Sequence, residues 1–178
     1  MKRGKITIES VLALNPCEDY DDEHVLQKLL NGRKYITYRD IGTLGISVGD
    51  KLRLAVRLLT EKQQHIYACD CAERVLHIAG DARCDEAIRV KRLWVDGKAT
   101  DEELKLATRD ARAAWYACYA SEAASYAVWD AASAAACAVS DAASDAASDA
   151  ARYAGSAKYE QEQQWQLDHA IEMLEKGE

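Results

Sequence analysis

The sequence predicts an all-α protein: a helical bundle with long alanine-rich C-terminal helices and a small irregular N-terminal lobe. Three observations carry that prediction. The 178-residue chain has one proline and nine glycines, too few turn residues for a many-stranded β fold. Its apolar residues recur at helical rather than alternating spacing from Ser47 onward. Between residues 101 and 157 alanine fills 23 of 57 positions, and alanine is the strongest helix former. With 49% hydrophobic and 30% charged residues the chain can bury a real core, and wholesale disorder is excluded.

Thr7 is placed to cap a short helix over residues 8–14, which Pro16 closes. Asp21 or Asp22 can cap a second, carrying Val25, Leu26, Leu29 and Leu30, and Asn31-Gly32 ends it because both tolerate left-handed backbone. Residues 33–46 admit two readings. Tyr35-Ile36-Thr37-Tyr38 is β-prone, while Thr37 is equally fit to cap one helical turn. The N-terminal lobe is therefore assigned to residues 1–46 and the bundle to 47–178.

The bundle begins with Leu52, Leu54, Ala55, Val56, Leu58 and Leu59, a face wide enough to predict deep burial. Thr60 caps the next helix, with Ile66, Cys69, Val75, Leu76 and Ile78 as its apolar residues. Gly80-Asp81 separates it from a helix with Ala87, Ile88, Val90, Leu93 and Trp94, and Asp96-Gly97 ends that one. Thr100-Asp-Glu-Glu103 is a capping box, in which each side chain takes a backbone N–H that the helix start leaves free. No glycine or proline then occurs until Gly155. A single helix of that span would be roughly 80 Å long, against a radius of gyration of about 16 Å for a compact chain of this size. A break near Ser121 or Val139-Ser140 is expected, followed by a final helix over 156–175 anchored by Trp165, Ile171 and Leu174. The rings of Trp115, Tyr116, Tyr119, Tyr126 and Trp129 are expected to fill space among the alanines.

Charge is segregated. Residues 1–60 hold ten Lys/Arg and eight Asp/Glu, 61–100 hold seven of each, and 101–178 hold six against fifteen. The net −7 thus arises in the C-terminal part, which disfavours direct nucleic-acid binding. Glu122, Asp130, Asp141, Asp145 and Asp149 lie in a stretch, 113–151, with no base at all. Asp141-Ala-Ala-Ser repeats at Asp145 and nearly at Asp149. A four-residue step drifts about 40° per copy around a helix, so these acids form a winding stripe. It reads either as the solvated back of a close-packed helix pair or as a ridge offered to a basic partner, and the five acids are the candidate partner-binding residues.

Other chemistry is thinly represented. Nucleophile-elbow, Walker, HExxH and dinucleotide motifs are absent from the sequence, so an enzyme is not expected. His65, Cys69, His77 and Cys84 are the weak candidates for a metal set, but their spacing fits no established zinc pattern, and neither metal nor cofactor is expected. Asp70, Glu73 and Arg74 are expected to pair with Arg83, Asp85 and Glu86 across a helix–helix corner. The opening Met-Lys-Arg-Gly-Lys is not followed by an apolar stretch, and no run is apolar enough to span a membrane. A cytoplasmic setting with free thiols is expected for the six cysteines.

Ala68-Cys-Asp-Cys-Ala-Glu-Arg-Val-Leu76, then Asp81-x-Arg83-x-Asp85-x-Ala87-Ile88, then Trp94-x-x-Gly97-x-Ala99-Thr100-x-Glu102-Glu103-Leu104, run into the alanine-rich segment. In that order they resemble a family of helical immunity proteins found near bacterial toxin genes and in phages. The resemblance covers about residues 50–175. It implies a small helical protein that acts by binding a toxin, nuclease or defence complex, as an immunity protein or a phage anti-defence inhibitor such as an anti-CRISPR. The regular Asp-Ala-Ala-Ser run departs from the family pattern. A self-associating helical scaffold, for instance a homodimer, is the alternative.

Overall fold

The computed structural model describes residues 4–14, 23–120 and 155–177. The fold is an all-α helical bundle: α1 (Ile8–Leu12), α2 (Glu23–Leu29), α3 (Tyr38–Ile41), α4 (Val48–Leu58), α5 (Glu61–Ala79), α6 (Ala82–Val95), α7 (Asp101–Ala120) and α8 (Gly155–Lys176). Among the described residues there is no β-sheet, and Ile6 and Ile36 form an isolated antiparallel bridge. No helix among them is long and apolar enough to cross a membrane. The chain divides into two compact units, Met1–Leu59 with Leu167–Glu178, and Thr60–Gln166.

In the first unit both readings of residues 33–46 hold, one residue apart. Ile6 and Ile36 exchange backbone hydrogen bonds of 2.8 and 2.9 Å and are almost fully buried. The next residue of each strand caps a helix: Thr7 with Ser10 begins α1, and Thr37 with Asp40 begins α3. The α1 helix stops at Leu12, short of the expected Leu14. Asn31 and Gly32 take φ of 51° and 70°. Their N–H groups donate to Lys28 and Gln27 carbonyls, closing α2 with a Schellman turn. The wide face of α4 is only partly covered: Ala55 and Val56 are buried with Leu59, while Leu52, Leu54 and Leu58 are half-buried. The expected boundary at 46/47 falls inside this unit, where Lys51 Nζ donates to the Gly42 carbonyl at 3.0 Å.

The second unit is built on an antiparallel pair, α5 and α6, joined through Gly80 in left-handed conformation (φ 61°). Thr60 and Gln63 form a capping box at the start of α5, and Asp81 caps α6. The α5 helix is buried over most of its circumference, through Tyr67, Ala68, Cys69, Cys71, Ala72, Val75 and Leu76. The α6 helix ends in a second Schellman turn, with the Lys98 N–H on the Leu93 carbonyl and the Gly97 N–H on that of Trp94. Thr100 and Glu103 then cap α7 reciprocally, at 2.7 Å from the Thr100 N–H and 3.2 Å from the Glu103 N–H. The α7 helix turns Ala107, Ala111 and Ala114 inward and packs along α6, where Cys84 and Ala87 are also fully buried. Small side chains on both helices let the backbones approach closely.

The final helix begins one residue before its expected start and runs one past its expected end. Its fully buried positions are Gln166, Leu167 and Ala170, with Leu174 close behind, whereas Trp165 and Ile171 are half-buried. Tyr116 departs from the core-filling role expected of it: its side chain is 61% exposed. The expected breaks at Ser121 and Val139-Ser140, and Tyr126 and Trp129, lie outside the described residues.

Candidate functional site

The five acids proposed for partner binding, Glu122, Asp130, Asp141, Asp145 and Asp149, lie outside the described residues. The four metal candidates are described, and the fold disperses them. His65 and Cys69 are one turn apart on α5 and buried; Cys84 is buried on α6; His77, near the end of α5, is exposed. Among the described residues no three His, Cys, Asp or Glu side chains group in a way that could hold a metal ion. Cys69 and Cys71 both lie at 0% exposure although they point to different sides of α5, because that helix is packed on both. Burial pushes the Cys69 thiol up to about 12 and raises that of Cys71 further above its ordinary value. Both are neutral thiols near pH 7, poor nucleophiles and poor ligands.

His65 is instead part of an aromatic cluster. Its ring meets Trp94 edge-on, with centroids 5.2 Å apart. On α6 the Lys91 ammonium lies 4.5 Å from the centroid of the same indole, and the indole Nε1–H donates to Asp101 Oδ1 at 2.8 Å. Lys91 has 0% exposure. Reading charge as a mark of the surface misses it. The signal was its spacing: Cys84, Ala87, Ile88 and Lys91 fall on one helical stripe, so α6 places Lys91 in the core by its period.

The corner between α5 and α6 does carry ion pairs, but with other partners than expected. Arg92 forks onto Glu73 at 2.7 and 2.8 Å and onto Asp70 at 2.6 Å. Glu73 most of all, then Asp70, holds the Arg92 guanidinium charge above its ordinary strength. Arg83 pairs with its own N-cap, Asp81, and Arg89 with Glu86 one turn before it. Arg74 turns to α8 and binds Glu162. The turn sets these partners: in an antiparallel hairpin, residues about equally distant from Gly80 lie opposite, which brings Arg92 beside Asp70 and Glu73 and leaves Arg83 too near the bend.

Beside this fork the two helices leave a solvent-open groove of about 590 Å³. Leu76, Ile88 and Leu93 make its apolar floor, with Glu73, His77, Asp85, Arg89, Arg92 and Asp96 along the rim. Such a groove suits an apolar side chain flanked by polar groups. Its acids and bases nearly balance, so it selects little by charge.

The chain matches no protein-family model, no curated protein and no solved structure. In the described part, several carboxylates are engaged in holding helices: Asp70 and Glu73 by Arg92, Glu162 by Arg74, Asp81 and Glu103 at helix starts.

Proposed function

We propose that this chain is a non-enzymatic, protein-binding inhibitor of the immunity or phage anti-defence type, which masks a basic surface of a toxin, nuclease or defence complex. The observation that carries the reading is the segregated charge: fifteen acids against six bases in residues 101–178, and five acids without a base in 113–151. A surface that binds nucleic acid is rich in Lys and Arg. A carboxylate-rich protein competes for it, and its field speeds the encounter. The resemblance over residues 50–175 points to the same class.

The test is affinity capture of partners from the native host at low and at high salt, with the wild-type chain and with the triple variant D141N/D145N/D149N. A basic protein retained at low salt, released at high salt and lost with the triple variant is the expected result. Retention unchanged in the variant would show that these acids are only solvated surface.

A further inference from the structure

We propose that the groove between α5 and α6 takes an arginine side chain of the basic protein partner, with an apolar side chain beside it. The inference rests on the reading of that partner as basic, and gives it a contact on the described part of the chain. Summed over the rim, acids and bases nearly balance; matched pair by pair, they do not. Arg92 is shared by two carboxylates, Asp70 and Glu73. Arg89 is held by Glu86, and Lys98 holds Asp96. Asp85 is exposed on the rim and has no hydrogen-bond or ion-pair partner among the described residues. Each base is thus answered by an acid of this chain, and the charge left unmatched is negative.

Position selects the occupant further. Asp85 and Ile88 lie three residues apart on one face of α6, so the carboxylate stands about 4.5 Å along the helix axis from the apolar floor. Arginine joins an apolar stem to a planar cation, and can lay the stem on Ile88 while its guanidinium pairs with Asp85. The ammonium of lysine is more strongly hydrated and gives up water less readily. A neutral apolar occupant would cover Asp85 and leave a desolvated charge unpaired. The groove, about 590 Å³ and open to solvent, has room along Leu76 and Leu93 for the apolar neighbour.

Amide NMR shifts of the full chain, titrated with n-hexylguanidinium, test the site itself. The largest shifts are expected at Leu76, Asp85, Ile88 and Leu93, with an affinity at least about tenfold above that of methylguanidinium, which lacks the stem. Asp85→Asn should weaken binding about threefold. Glu102→Gln, which neutralises an exposed carboxylate on another helix, should leave it unchanged. No binding, largest shifts elsewhere, or equal loss in the two variants overturns the proposal. Affinity capture from the native host with Asp85→Arg then tests the partner. At least about tenfold less of the basic protein held by the wild-type chain is expected, with the helical circular dichroism signal unchanged. Unchanged retention overturns the groove as the contact and leaves the basic partner standing. If the wild-type chain itself retains no basic protein, the reading of the partner fails, and the groove proposal with it.

Discussion

Arg74 and Glu162, far apart in sequence, form a two-point ion pair: Nε to Oε1 at 2.8 Å and Nη2 to Oε2 at 2.9 Å, with the guanidinium 3.8 Å above the Trp165 ring centroid. The Glu162 side chain is only 10% exposed, so its charge relies on this partner more than on water. Arg74→Ala should therefore cost about 2–3 kcal/mol, because it strands a buried carboxylate and bares the indole. Arg74→Lys should recover only part of this, since an ammonium cannot make the planar fork or the stack. Urea unfolding of the two variants measures it; equal stability of Arg74→Lys and the parent would contradict the fork.

The Lys91–Trp94 contact is fully desolvated on the lysine side. A double-mutant cycle with Lys91→Met and Trp94→Leu should show a coupling of about 1 kcal/mol or more. Trp94→Phe alone should lose about 1 kcal/mol with the hydrogen bond to Asp101. Additive single effects, within a few tenths of a kcal/mol, would mean that ammonium and ring are mere neighbours.

Asp81 supplies an acid-sensitive contribution. The Arg83 side chain first, then its backbone N–H, holds the Asp81 carboxyl below its ordinary value of 3.8. A depressed carboxylate stabilises the fold above its unfolded value, and that contribution disappears as pH falls through the folded one. Asn also caps helices, so Asp81→Asn removes the charge but keeps the cap. The gap in melting temperature between parent and variant should be constant at neutral pH and close below about pH 4. A gap that persists at lower pH would remove Asp81 from the acid response.

Cys69, Cys71 and Cys84 should resist alkylation in the folded protein. With the Cys69 thiol pushed up to about 12, its thiolate at pH 8 is scarcer than that of an ordinary cysteine by about a thousandfold. Burial compounds the effect. Peptide mapping after a short iodoacetamide pulse should find these three unmodified until urea is added. The sign at high pH follows: a raised thiol stabilises the fold below its unfolded value of 9.0, and that contribution is lost as pH climbs toward 12. Rapid modification of Cys69 at pH 8 would point to local opening of α5.

Much of this architecture is legible because its signals are local. Thr7, Thr60 and Thr100 each cap a helix as read, and Asn31-Gly32, Gly80 and Asp96-Gly97 each end one, since a cap or a left-handed residue needs only its own neighbours. The stretch 33–46 was ambiguous for a physical reason: Ile36 belongs to a bridge whose other half is thirty residues earlier, and Thr37 to a turn decided on the spot. What could not be read was tertiary. The partner of Asp70 depends on where the hairpin brings Arg92, and the burial of Lys91 on α6 being packed along both α5 and α7. Of the candidate site, the placing of His65 one turn before Cys69 on α5 was legible in their four-residue spacing, whereas the groove beside Arg92 had no sequence signature.

The bend at Gly80 acts as a phase lock. Only Gly80 and Asp81 lie between α5 and α6, so one inserted residue would turn all of α6 by about 100° relative to α5. Arg92 would swing off Asp70 and Glu73, Trp94 would turn away from His65 on α5 and carry Lys91 with it, and the alanine seam toward α7 would be misaligned. Substitutions along this hairpin act one contact at a time, but a change in its length acts on every contact at once. The connection should therefore tolerate a new side chain at Asp81 far better than one more residue.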